Sequence, residues 1–188
     1  MMQKKVQIIS DGSLDLSQEL TKEKDIEVVP FYVSFDSETY QKEMVEVGVR
    51  EFYQEMVDHP TVFPKTSMPS VHDYYEVFEK HAKEQLPVIC ICITRKFSGS
   101  LQSATTAKDM ILEEYPDAQI TVIDSTVNTV LQGLYVLEAC RLRDMGLEYQ
   151  QIVDALLPIR ETGRIFFTIG SIDYLKPVSY THLTLPTI

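Results

Sequence analysis

The sequence predicts an α/β fold, a doubly wound and mainly parallel sheet with helices on both faces. Three observations carry this. Short apolar or β-branched runs recur at residues 6–9, 26–35, 87–94, 119–123 and 165–169, and most lack the polar alternation of a sheet with one wet face. Apolar residues at helical spacing fill the gaps between these runs. Strands alternating with helices imply βαβ crossovers, which are right-handed and cover the sheet on both sides.

The elements follow in order. The run VQII, residues 6–9, is the first strand and leads into Ser10-Asp11-Gly12-Ser13. Residues 26–35 form the second, but the stretch Phe31 to Tyr40 departs from the pattern: YVSFDSETY alternates around Asp36-Ser37, which fits a small hairpin. Val49, Phe52, Tyr53 and Met56 make one helical stripe; Val71, Tyr74, Tyr75, Phe78 and Ala82 make another, opened by a capping box from Ser70 to Asp73. The strand at 87–94 contains VICICIT, whose alternation points Cys90 and Cys92 to one face as small core residues of a reduced protein. A helix spans about 101–115, the fourth strand 119–123, and a further helix about 130–145, stopped at Gly146. Ile152, Val153, Leu156 and Leu157 define a last helix ending near Gly163, ahead of the strand at 165–169.

Composition narrows the partners. With 44% hydrophobic and 24% charged residues the 188-residue chain is ordinary globular material. Its net charge of −11, with no basic run beyond Lys4-Lys5, argues against nucleic acid and against docking on anionic lipid. The opening MMQKKVQIIS breaks at Ser10-Asp11, too soon for a signal-peptide core or a stable membrane insertion, which places the chain in the cytoplasm. His59, His72, His81 and His182 show no metal spacing and read as solvated surface residues.

Ligands of open α/β sheets bind beyond the carboxyl ends of the strands. Hydroxyl-rich segments stand there: Ser10–Ser13 after the first strand, Arg95-Lys96-Phe97-Ser98-Gly99-Ser100 after the third, and Asp124-Ser125-Thr126 after the fourth. A further pair, Thr66-Ser67, lies in the loop PKTSMPS just before a helix. Taken singly, each cluster is what N-caps and turns use. Their coincidence at four element ends points to a small anion such as a carboxylate, held by hydroxyls and helix N-termini. No G-x-S-x-G elbow, phosphate-cradling G-x-x-x-x-G-K-[ST] or G-x-G-x-x-G fingerprint is present. Asp11 and Asp124 could form a carboxylate pair at adjacent strand ends, as a small phosphotransferase or hydrolase would need, but aspartates beside serines are also ordinary turn chemistry.

The succession SDGSLDL, VVPFYVSF, PKTSMPS, FSGSLQSA, VIDST and FTIGSIDYLK, over residues 5–176, resembles the DegV family of fatty-acid-binding proteins. The resemblance implies a non-enzymatic, cofactor-free carrier of two α/β domains that holds one long-chain fatty acid and presents its carboxylate to a fatty acid kinase. It assigns the carboxylate to Thr66 and Ser98, with Ser67, Gly99, Ser100, Asp11, Ser13, Asp124 and Ser125 in supporting loops. An acyl chain of roughly sixteen carbons has ample drive for burial at about 0.8 kcal/mol per methylene, provided its head group is hydrogen-bonded. The match places a DegV-like N-terminal domain at residues 1–176, with the second domain absent. Residues 177–188 read as a non-native tail, and an inactive fragment stands as an alternative.

Overall fold

The computed structural model describes residues 6–166 and 168. In chain order the elements are β1 (Gln7–Asp11), a 3-10 turn (Gly12–Leu14), α1 (Gln18–Glu23), β2 (Ile26–Val29), β3 (Tyr32–Ser34), β4 (Gln41–Lys42), α2 (Val49–Asp58), β5 (Lys65–Ser67), α3 (Val71–Lys83), β6 (Val88–Cys92), α4 (Ser100–Glu114), β7 (Ile120–Asp124), α5 (Thr129–Asp144) and α6 (Tyr149–Ile159). They fall into two compact units, one built by residues 6–31 with 68–165 and the other by 32–67.

The first unit holds the predicted parallel sheet, in the order β2-β1-β6-β7. β1 runs from Ile8 opposite Ile26 to Asp11 opposite Val29, and on its other side from Gln7 opposite Val88 to Ser10 opposite Ile91. Period-two alternation sorts the strand residues between two cores. Ile8, Ile89, Ile91 and Ile123 pack with Val136, Ala139, Ile152 and Leu156 of α5 and α6. Ile9, Cys90 and Cys92 pack with Tyr74, Phe78, Ala104, Ala107 and Ile111 of α3 and α4. Both faces are covered, which explains why these strands read as continuous apolar runs. The chain steps from β1 to β2 on one side and returns with β6 on the other, so the topological switch lies between the carboxyl ends of β1 and β6.

Local signals set the helix ends. Ser70 Oγ accepts from Asp73 N at 3.1 Å while Asp73 Oδ2 accepts from Ser70 N at 2.8 Å, the expected capping box of α3. Gly146, at φ +89°, donates its N–H to Arg143 O and ends α5 in the left-handed conformation that glycine adopts without strain. Among the described residues no helix is long and apolar enough to cross a membrane.

The second unit is a small antiparallel sheet, β4-β3-β5. The expected hairpin is present, with Tyr32 opposite Lys42 and Val33 opposite Gln41. Asp36 Oδ1 organises its turn by accepting from Glu38 N, Thr39 N and Ser34 Oγ at 2.7–3.0 Å. These bonds hold the exposed Asp36 carboxyl down at about 2. Phe35 and Phe52 pack with tilted rings, centroids 5.1 Å apart, and tie α2 to the hairpin.

Several expectations are corrected. The run 26–35 is two strands, β2 and β3, in different sheets; Pro30, which has no N–H to donate, stands at the break. α1 was not foreseen, because its six residues are too few to show a period; its one signal is the cap Ser17, whose Oγ accepts from Leu20 N at 3.2 Å. Thr66 and Ser67 lie in strand β5 and not in a loop, since the exposed sequence Lys65–Ser67 has no apolar alternation and is set by its pairing with β3. His81 is buried, with Nε2 2.6 Å from Glu27 Oε2, because it shares the face of Tyr74 and Phe78. His59 and His72 are exposed as expected, and His182 lies outside the described residues. Of the expected strand at 165–169, Ile165, Phe166 and Thr168 are irregular and the rest lies outside the described residues, as does the tail 177–188.

Candidate functional site

At the switch point, β1 ends on a carboxylate removed from water. Asp11 is fully buried, and such a charge is tolerated only if its lone pairs are met by donors. They are met from three directions. Oδ2 accepts the N–H of Ile93 at 2.9 Å and the hydroxyl of Ser100 at 2.7 Å. Oδ1 accepts the side-chain amide of Gln132 at 2.8 Å. Ser13 Oγ sits 2.7 Å from both Asp11 Oδ1 and Gln132 Oε1, so its single proton is shared between two acceptors.

Ser100 passes the network on. Its proton goes to Asp11, so the 2.6 Å contact with Tyr74 Oη has the phenol as donor. Burial pushes that phenol well above its ordinary value, with the nearby Cys92 and Asp11 adding to the effect, so Tyr74 keeps the proton it donates. Ser100 N–H donates to Ser98 Oγ at 3.1 Å. Ser98 is half-buried, and among the described residues its own hydroxyl proton has no acceptor. It stands beside the N-terminus of α4, where Gly99 occupies the cap position without a side chain to occupy the first-turn donors. A Cβ at Gly99 would lie 2.5 Å from Sδ of the exposed Met68 side chain, which would have to swing aside to admit it.

The remaining candidates divide. Asp124 accepts from Thr126 N at 2.9 Å and pairs loosely with Arg95 at 3.5 Å. Ser125 is fully buried and structural: its N–H donates to Cys92 O and its hydroxyl to Val127 O. β6 stands between β1 and β7, so Asp11 and Asp124 are not at adjacent strand ends; two strand spacings, about 10 Å, separate them. Thr66 and Ser67 belong to the second unit, both exposed, and Thr66 Oγ1 has no hydrogen bond among the described residues. Gln132 and Tyr74 are the polar participants that the sequence reading missed. Gln132 stands seven residues before Ala139 and four before Val136, on the buried face of α5, and that spacing is the signal that could have found it.

Residues 5–177 match the family described as "Uncharacterised protein, DegV family". The chain belongs to the DegV family. A DegV domain-containing protein of Halalkalibacterium halodurans is 33% identical over 172 residues, which are 91% of this chain and 59% of that relative. Among solved structures, a stearic acid-binding protein from Eubacterium ventriosum is 46% identical with a TM-score of 0.88, covering 93% of this chain and 59% of its own. A fatty-acid-binding DegV family protein from Thermus thermophilus is 29% identical with a TM-score of 0.70, covering 84% and 54%. The chain thus spans little more than half the length of these relatives. The DegV assignment and the α/β fold agree with the sequence reading.

Proposed function

We propose that this chain binds a long-chain fatty acid by its carboxylate, and that Ser98 and Thr66 each donate a hydroxyl to that head group. The observation that carries the reading is Ser98: its Oγ accepts from Ser100 N–H and, among the described residues, its proton has no acceptor, which leaves it for an anionic ligand beside a helix N-terminus. The 46% identity to a stearic acid-binding protein supports the ligand class. Neutral hydroxyls satisfy a carboxylate without adding a charge that would itself need a partner, while the acyl chain supplies most of the binding energy through burial. Gly99, Ser100, Asp11 and Ser13 support the Ser98 loop; Ser67, Asp124 and Ser125 shape their own segments.

In this reading the protein is a carrier and not an enzyme, and a fatty acid kinase that phosphorylates the carboxylate is its partner. The competing reading, a phosphotransferase or hydrolase using Asp11 and Asp124, is disfavoured because Asp11 is enclosed by its own donors and Asp124 lies two strands away. Titration of stearic acid into the chain and into the Thr66→Ala/Ser98→Ala double variant tests the proposal. Two lost hydrogen bonds to a charged group predict affinity weaker by at least about a hundredfold. Equal affinity in the two proteins would remove these residues from the site.

A further inference from the structure

We propose that Asp11 is the positioning residue of the head-group site, fixing the Ser98 loop from beneath without touching the ligand. The inference rests on the fatty-acid reading for its consequence, but its geometry is independent of it. A single carboxylate oxygen, Oδ2, takes donors from both ends of the segment 94–99: Ile93 N–H at one end and the Ser100 hydroxyl at the other. Ile93 lies beyond the last paired residues of the β1–β6 ladder, Ser10 and Ile91, so Asp11 replaces the backbone partner that the ladder no longer offers. Ser100 carries the constraint on, because its N–H fixes Ser98 Oγ.

The second oxygen prevents the carboxylate from turning. Oδ1 is held by Gln132, which also donates to Ser10 Oγ at 3.1 Å, and Ser10 in turn donates to Ile91 O at 2.9 Å. The carboxylate plane is therefore set by α5 and by β1 itself, both rigid, and the loop is referred to that frame. A carboxylate is suited to this task because it accepts on both oxygens, whereas a hydroxyl or amide at position 11 would leave at least one of the converging donors unmet. Burial without access explains why Asp11 is not itself a ligand contact.

The test compares the chain with Asp11→Ala, Asp11→Asn and a core control, Ile152→Ala, which thins the opposite layer between the sheet and α6 and lowers global stability by a comparable amount. Two quantities are read: stearic acid affinity by calorimetry, and amide hydrogen exchange at Ile93, Ser98 and Ser100 without ligand. Exchange reports local opening and needs no bound lipid. For Asp11→Ala, affinity should fall and exchange at those three amides should rise by about tenfold or more. Asn retains one accepting oxygen for Ile93 and Ser100 but turns a donor toward Gln132, so it should recover only part of both; Ile152→Ala should show neither local effect.

The proposal is overturned if Ile152→Ala at matched stability reproduces both effects, or if Asp11→Ala leaves both unchanged. Should the unaltered chain take up no stearic acid, the fatty-acid reading fails, and exchange confined to 93–100 or spread over the sheet still decides the role of Asp11. Should Asp11→Ala fail to fold, Ser100→Ala cuts one of the two ties and is judged by the same measurements: local loosening around Ser98 upholds the proposal and unchanged exchange refutes it.

Discussion

Replacing Gly133 by alanine probes how closely α5 must approach the turn after β1. A Cβ at that position would lie 2.3 Å from the carbonyl oxygen of Leu14, with Leu16 side-chain atoms at 2.8 and 3.0 Å. The leucine can swing aside; the backbone carbonyl cannot, so α5 must retreat by roughly 1 Å to restore van der Waals separation. Overpacking of this kind costs about 1–3 kcal/mol, against which alanine returns about 1 kcal/mol of helix propensity. The expected net loss is up to about 2 kcal/mol, a Tm lower by up to roughly 4–8 °C for a chain of this size. Gly163→Ala is the matched control, because the atoms its Cβ would meet, from 2.7 Å, all belong to the Leu131 side chain. That variant should stay within about 0.5 kcal/mol of the parent. Urea denaturation of the three proteins with a common slope gives the comparison. Gly133→Ala equal to or more stable than Gly163→Ala would show that the close approach is not rigid, and with it that Gln132, the adjacent residue, is not held in place by packing.

Other outcomes follow from titrating and nucleophilic groups. Burial alone would raise the Glu27 carboxyl, but hydrogen bonds from His81 and Lys80 outweigh it and hold it below its ordinary 4.5; the resulting stabilisation is complete above that value and is lost as pH falls through the lower folded value. The stability gap between the parent and Glu27→Gln should therefore close in acid, and a gap that is unchanged at low pH contradicts the assignment. Asp36, held at about 2 by backbone donors from Thr39 and Glu38, should titrate near that value by carbon-13 NMR, so its turn persists until pH falls through that region. Burial raises the thiols of Cys90 and Cys140, the latter to about 11, so a disulfide reagent at pH 8 should modify neither before unfolding. Rapid labelling of the native protein would show that these layers open.

The parallel sheet and most of its helices were legible because burial on both faces leaves a direct trace in composition. QIISD, VICIC and ITVID are strands whose apolar residues face either core, and the intervening stripes have helical period. The second unit left no such trace. β4 and β5 together contain no apolar residue, and their pairing is imposed by β3 and by the Asp36 turn. The hydroxyl clusters were visible as residue types, but their ranking was not. Ser98 and Ser125 look alike in sequence, yet among the described residues the proton of one has no acceptor while the other closes its own loop onto Val127. Asp11 and Asp124 likewise share strand-end positions. Sheet order and burial separate the enclosed aspartate at the switch point from the one that ends the edge strand β7. Gln132 stayed hidden because a single polar residue on an apolar helix face carries no motif.

Under the proposed function, this chain carries a fatty acid by its head group. Native mass spectrometry of the 188-residue protein, purified after expression without added lipid, addresses it most directly. The expected spectrum shows a mass increment of one long-chain fatty acid per chain, absent from the Thr66→Ala/Ser98→Ala double variant. A protein that remains empty even after incubation with excess stearic acid, or a double variant that retains its lipid, would contradict it.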